Sequence, residues 1–419
     1  MDAEEARAHL CDLALKSGDL TALGRWRNEI IKADTAAGAQ RTDRTRFLAA
    51  TARLALAEPA RDAFRAIRLT APLKKSLAAK KEAMETALAG YKAVAAYDVA
   101  TTTTAATYEM AELYRTLGRD LLASERPKKL SADEREQFDA LLEEQAFPFE
   151  ERAIAIHDVN AKRTVDGIYD ESVRKSFQAL AEMSPARYAK TEQWGELVRT
   201  LVTPTVAAPL AGAELPAGAA PAAAAAPAVG AALPAGASAD FARAISAALS
   251  GKSTDAELGF KQMELQYPQL AEASINLGIV LQGEGKLAAA AEALQRATER
   301  APVSAAAWTE LGLVRRALGK FPDAKTAYTQ AIAADSGYAP AHRNLGVLLD
   351  LYMGDPVAAL GEMEQYRQLS GEDKPVSGWI AELRHRTGIK APVPVAAPAP
   401  AAPEAVPAAA PAAANGGAQ

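Results

Sequence analysis

Some absences narrow this 419-residue chain at once. It has a single cysteine, Cys11, which excludes an internal disulfide framework and any cysteine-based zinc site. A cysteine nucleophile would need a positioned histidine, and only His9, His157, His342 and His385 are present. Cys11 therefore reads as a small apolar residue on a helix. No run of about 18 apolar residues occurs, so no α-helical membrane span is expected. A basic excess is missing too: residues 1–202 carry 31 Lys and Arg against 32 Asp and Glu, and residues 239–390 carry 16 against 18. Binding to a phosphate backbone needs such an excess, so no nucleic-acid partner is expected.

What is abundant is alanine, and it is unevenly spread. Residues 203–238 hold 17 Ala and 6 Pro with one charge, and residues 391–419 are similar. Tracts this poor in large apolar groups cannot offset chain entropy, and proline stiffens them. The first reads as a disordered Pro/Ala linker, the second as a disordered tail. They leave a folded block at 1–202 and another at 239–390.

The second block repeats. Gly278, Gly312 and Gly346 lie 34 residues apart, as do Leu277, Leu311 and Leu345, in the strings "NLG", "ELG" and "NLG". Trp308-x-x-Leu311-Gly312, Ala290-x-x-x-Leu294, Ala324-x-x-x-Tyr328 and Pro302 fit the signature of the tetratricopeptide repeat (TPR). Small residues at Gly278, Ala290 and Ala297 let two antiparallel helices approach, while Leu277, Leu281 and Leu294 fill the space between them. In the third repeat Ala359 arrives one residue late, which predicts a one-residue insertion around "YMGDP". "KPVSGWIAELRHRTG" predicts a capping helix with Trp379, Ile380 and Leu383 on one side.

"SAALSGKSTD" at 246–255 has the ending of a phosphate-binding loop. That motif needs a glycine where Ser246 stands and a strand before it, yet "DFARAISAAL" has helical spacing. Subtracting 34 from Gly285, Ala290, Leu294 and Pro302 gives Gly251, Ala256, Phe260 and Pro268. Gly251 is thus the inter-helix glycine of a degenerate fourth repeat ahead of the three clear ones, and no cofactor is expected.

The first block is predicted helical throughout, with no alternating strand pattern. A turn is expected within Ser17–Trp26, and a capping box at Ser131-x-x-Glu134. A kink or break is expected at Pro148, and a helix start at Ser184-Pro185. Thr101–Thr104 reads as a helix interruption or N-cap region. Three strings, "TYEMAELYRTLGRDLLASERPKKL", "LLEEQAFPFEERAIAIHDVN" and "GIYDESVRKSFQALAEMSPARYAKTE", resemble a module of large proteobacterial TPR proteins. Those proteins are often encoded beside ExbB/ExbD/TonB-type envelope components. The resemblance covers roughly Ala83–Glu192; Ser172 stands where the family has a tryptophan. It implies an accessory role at the cell envelope or periplasm, with ExbB/ExbD/TonB-type partners, and supplies no catalytic residue. The acidic start "MDAEEARAHLCDLAL" lacks a signal peptide's features, which favours the cytoplasm if that start is the true one.

No active site stands out. Glu143, Glu144, Glu150 and Glu151 suggest carboxylate chemistry, but a ferritin-like site wants His three residues after Glu, and Ile154 stands three before His157. A solvated or ion-paired role fits them better, and no metal is expected. What remains is the face formed by the first helices of the repeats, which suits a protein or peptide segment. The family's groove positions fall on Glu272, Ile275, Ile279 and Gln282, then Thr309, Leu313 and Arg316, then Arg343, Val347, Asp350 and Leu351. A clamp for a C-terminal carboxylate would need Lys and Asn where Ile275 and Ile279 stand. The groove is thus apolar at one end and charged near Arg316, Arg343 and Asp350, as an amphipathic or partly acidic segment requires. The alternative is that Ile275, Ile279 and Leu313 only pack. The expectation is an all-α, non-enzymatic scaffold: a helical N-terminal module, a linker, and a short TPR α-solenoid. A cytoplasmic TPR adaptor or co-chaperone-like protein is the alternative.

Overall fold

The computed structural model describes residues 3–127, 129–201 and 233–390. The predicted linker (except its last six residues), the predicted tail and the two N-terminal residues lie outside them. Among the described residues the chain is all α, with no strand.

Eight helices build the N-terminal module: α1 Ala3–Ser17, α2 Leu20–Ala37, α3 Asp43–Ala66, α4 Leu73–Ala95, α5 Ala100–Leu122, α6 Ala132–Lys162, α7 Glu171–Met183 and the single turn α8 Pro185–Tyr188. Polar caps set their starts. Asp19 accepts from the Ala22 amide, Asp170 from those of Ser172 and Val173, and Ser131 forms the expected reciprocal box with Glu134. Pro148 does not divide α6, which runs unbroken past it. Ala146 and Phe149 abut Gly118 of α5, and that packing holds the helix across the missing hydrogen bond. Thr101–Thr104 do not interrupt a helix but form the N-terminal turn of α5, just after its N-cap Val99, in keeping with the N-cap region expected there. They lie inside α5, where Thr102 and Thr104 donate to the Val99 and Ala100 carbonyls. Cys11 is partly buried against the small core around Ile30 and Ile31.

The second block is four helix pairs and a cap: α9 Ala237–Leu249 with α10 Ser253–Gln266, α11 Ala271–Gly283 with α12 Leu287–Arg300, α13 Ala305–Ala317 with α14 Phe321–Ala334, α15 Ala339–Leu351 with α16 Pro356–Ser370, and α17 Val376–Thr387. The turns use glycine where φ is positive: Gly251, Gly285 and Gly319 near +75°, then Gly354 at +67°. The last sits one residue beyond the 34-residue spacing, where the insertion was expected. Gly278 and Gly312 mark close helix approach. A Cβ there would meet Leu294 at 2.4 Å and Tyr328 at 2.4 Å.

The two blocks pack against each other. Phe177 and Leu180 of α7 and Tyr188 of α8 share one core with Leu313, Phe321, Leu345 and Trp379 of the repeats. Tyr169 lies 5.2 Å from the ring of Phe321 and 5.9 Å from that of Tyr352, and Phe177 lies 4.9 Å from Tyr352. After α8 the chain, residues 189–201, is not helical. It lies across the first helices of the repeats, and Leu201 lines one cleft of about 550 Å³ together with Leu233.

Candidate functional site

The helices α11, α13 and α15 lie side by side, and their facing surface holds residues 189–201. Three residues in the same place of successive repeats carry the backbone of this strap. Asn344 of α15 accepts from the Gln193 amide at 2.7 Å and donates to the Gln193 carbonyl at 2.8 Å. Glu310 of α13 accepts from the Gly195 amide at 2.7 Å. Asn276 of α11 accepts from the Val198 amide and donates to its carbonyl, both at 2.8 Å. A carboxamide offers one donor and one acceptor side by side, and an extended residue presents its N–H and C=O to the same side. The match needs no particular side chain on the strap.

The spacing fits as well. Val198 lies five positions beyond Gln193, and over that length the strap crosses from α15 to α11. At ~3.3 Å per extended residue that is about 16 Å, close to two interaxial steps of 8–10 Å. The strap runs from the third clear repeat back to the first.

Side chains fix the register. Lys190 is buried and meets Asp350 at 2.6 Å and Glu382 at 2.7 Å, and Arg386 pairs with the other oxygen of Asp350. Glu192 is buried between Arg316 and the Tyr328 hydroxyl, which donates to it at 3.2 Å. Arg343 donates to the Thr191 carbonyl at 2.8 Å and to its hydroxyl at 2.9 Å, with its guanidinium 5.1 Å from the Trp379 ring. Gly195 comes so close to α13 that a Cβ would lie 2.3 Å from Glu310.

These charges sit uneasily. Burial raises the Glu192 carboxyl above the usual range despite Arg316. Burial, aided by Glu192, pushes Glu310 up to about 7 even though the Gly195 amide favours its ionised form. Tyr328 is raised well above 10 by burial and by the same glutamate.

Of the expected groove residues, Arg316, Arg343 and Asp350 touch the strap. Ile275, Leu313, Val347 and Leu351 are buried in the cores, and Ile279 packs partly against one. Thr309 is buried with its hydroxyl donating to the Ala305 carbonyl. Glu272 and Gln282 are half-buried on α11. Sequence reasoning missed Asn276, Glu310 and Asn344, although "NLG", "ELG" and "NLG" display them at the 34-residue period. They served there as repeat markers and were not read as ligands for a backbone.

Two other clusters have the outline of a site. His157 lies between Ser176, 3.2 Å from Nδ1, and Glu112, 3.4 Å from Nε2, an order that superficially matches a hydrolase triad. His157 and Ser176 are sealed from solvent, and the Ser176 hydroxyl donates to the Ser172 carbonyl, so the trio ties α5, α6 and α7 together. Ser246 lies inside α9 and Gly251 in the turn after it, which gives "SGKST" the helix-turn-helix setting of a repeat.

Residues 275–319 and 309–372 match the family model of the tetratricopeptide repeat. Residues 275–372 carry tetratricopeptide repeats. A barley (Hordeum vulgare) probable UDP-N-acetylglucosamine–peptide N-acetylglucosaminyltransferase, SPINDLY, is 37% identical over 98 residues, 22% of this chain and 10% of that protein. The chain thus spans about a tenth of that relative's length, within the repeats. Among solved structures, the MamA protein is 22% identical over 36% of this chain and 82% of its own, with a TM-score of 0.34. A thermophilic TPR protein of Thermus thermophilus is 21% identical over 35% of this chain and 79% of its own, with a TM-score of 0.31.

Proposed function

We propose that the protein is a non-enzymatic scaffold whose repeat face, including Arg316, Arg343 and Asp350, holds an extended protein segment, and that it serves a bacterial cell-envelope complex. The observation behind the binding role is the Asn276–Glu310–Asn344 series, which already holds an extended backbone by its N–H and C=O groups. The envelope setting, and ExbB/ExbD/TonB-type components as partners, rest on the module resemblance across Ala83–Glu192.

The test is affinity purification of the tagged chain from its native cells, separated into cytoplasmic, periplasmic and membrane fractions, beside the R316E/R343E double variant. Envelope proteins recovered with the wild type and lost with the variant support the reading. Recovery of soluble cytoplasmic proteins alone would replace the envelope role with that of an adaptor. Equal recovery by both chains would remove the groove from it.

A further inference from the structure

The repeat face is occupied by the chain's own residues, and the manner of that occupancy describes a ligand. Three kinds of contact hold the strap. Asn276, Glu310 and Asn344 bond to main chain only, so an extended segment with glycine opposite Glu310 could take the same bonds at the same net strength. Two buried sites read side chains: Asp350 with Glu382 takes a lysine, and Arg316 with Tyr328 takes a glutamate two residues later. One position favours glycine, three residues beyond that glutamate, because a Cβ there would meet Glu310 Oε1 at 2.3 Å and displace the carboxylate from the amide it accepts from.

The apolar hold is thin by comparison. Trp194 is about half exposed, and Leu197, Val198 and Leu201 are only partly buried. A purely structural strap would be expected to seat large apolar anchors, since full burial of one contributes about 1.5–3 kcal/mol. Buried ion pairs add little net stability once desolvation is counted.

We propose that residues 189–201 are a resident stand-in for a partner, and that the repeat face takes from another protein an extended segment of the form Lys-x-Glu-x-x-Gly, which displaces them. The inference rests on the reading of this face as a protein-binding surface and names the segment it reads. In the free protein the strap keeps the face closed to weaker segments. A partner must match the lysine, glutamate and glycine positions to compete with a tethered copy.

The probe is a fluorescein-labelled synthetic peptide of residues 187–201, titrated into the full chain by anisotropy. A K190A/E192A chain, whose own strap is weakened while its groove is intact, should bind it at least 10-fold more tightly than the wild type. A peptide with alanine for the glutamate or for the glycine should lose at least 10-fold. Equal affinity for both chains, or no binding to a K190A/E192A chain that keeps its helical circular dichroism, would overturn the proposal. If that variant fails to fold, the wild-type chain answers alone. Excess unlabelled peptide must speed amide exchange at Gln193, Gly195 and Val198, and unchanged exchange overturns it. A concentration-dependent wild-type dimer that retains strap protection would assign the face to a second copy and also overturn it. Failure here with envelope partners still lost from R316E/R343E would leave the scaffold reading standing.

Discussion

At the scale of single residues, three side chains carry the site, and each makes a separable claim. N276A and N344A each delete two hydrogen bonds to the strap, about 2 kcal/mol. Amide exchange of Val198 or Gln193 should accelerate roughly 30-fold, while exchange within α13 and α14 should hold. Glu310 makes the strap sensitive to pH. Its carboxyl is raised to about 7 when covered by the strap, so the closed state binds the extra proton. That contribution is fully present below the ordinary value near 4.5 and is lost as pH rises through about 7. Glu192, also raised, acts in the same sense beside Arg316 and Tyr328. Carboxylates elsewhere oppose it: Glu112, Asp158 and Glu264 are held low by their cationic neighbours and hydrogen bonds. The strap amides, corrected for intrinsic exchange, should therefore be better protected at pH 5.5 than at pH 8. E310Q should shrink that difference to the part due to Glu192, and an undiminished difference in E310Q would remove Glu310 as a cause. The same residues mark what was legible. Arg316, Arg343 and Asp350 were readable as charged positions on the right face. Asn276, Glu310 and Asn344 were visible as a period, but a period alone does not say that a side chain faces a backbone.

Among the elements, helix packing was the most legible because steric need shows in the sequence. Glycine recurs at 278, 312 and 346 since each lies under a large residue of its partner helix, Leu294, Tyr328 or Met363. G312A forces a methyl into the Tyr328 ring and should cost about 1–3 kcal/mol, seen as a lowered Tm with secondary structure retained. The strap was the least legible element. The first block is expected to be helical throughout, and Trp194, Leu197, Val198 and Leu201 even have the i, i+3, i+4, i+7 spacing of an amphipathic helix. The structure overrides it because the repeats supply hydrogen-bond partners to an extended backbone there. Pro148 shows the same lesson in reverse: a residue that normally breaks a helix is carried through by packing against α5.

For the whole molecule, composition suggested two folded blocks, and among the described residues those blocks share a core. The Tyr169–Phe177–Phe321–Tyr352 cluster and the strap both cross between module and repeats. The alanine- and proline-rich segment drew attention to separation because composition reports local stiffness and says nothing of what its ends dock against. One cooperative thermal transition is expected for the full chain, and Y169A/F177A should split it into two or lower its midpoint by several degrees; an unchanged melting curve would contradict the shared core. The binding role depends on where residues 189–201 lie. The decisive measurement is residue-resolved amide hydrogen exchange of the full wild-type chain. Protection at Gln193, Gly195 and Val198, lost together in an N276A/N344A chain, is the result that the occupied repeat face requires. Exchange at those three amides at the rate of an unstructured peptide would show the face to be open, and the ligand read from the strap would fall with it.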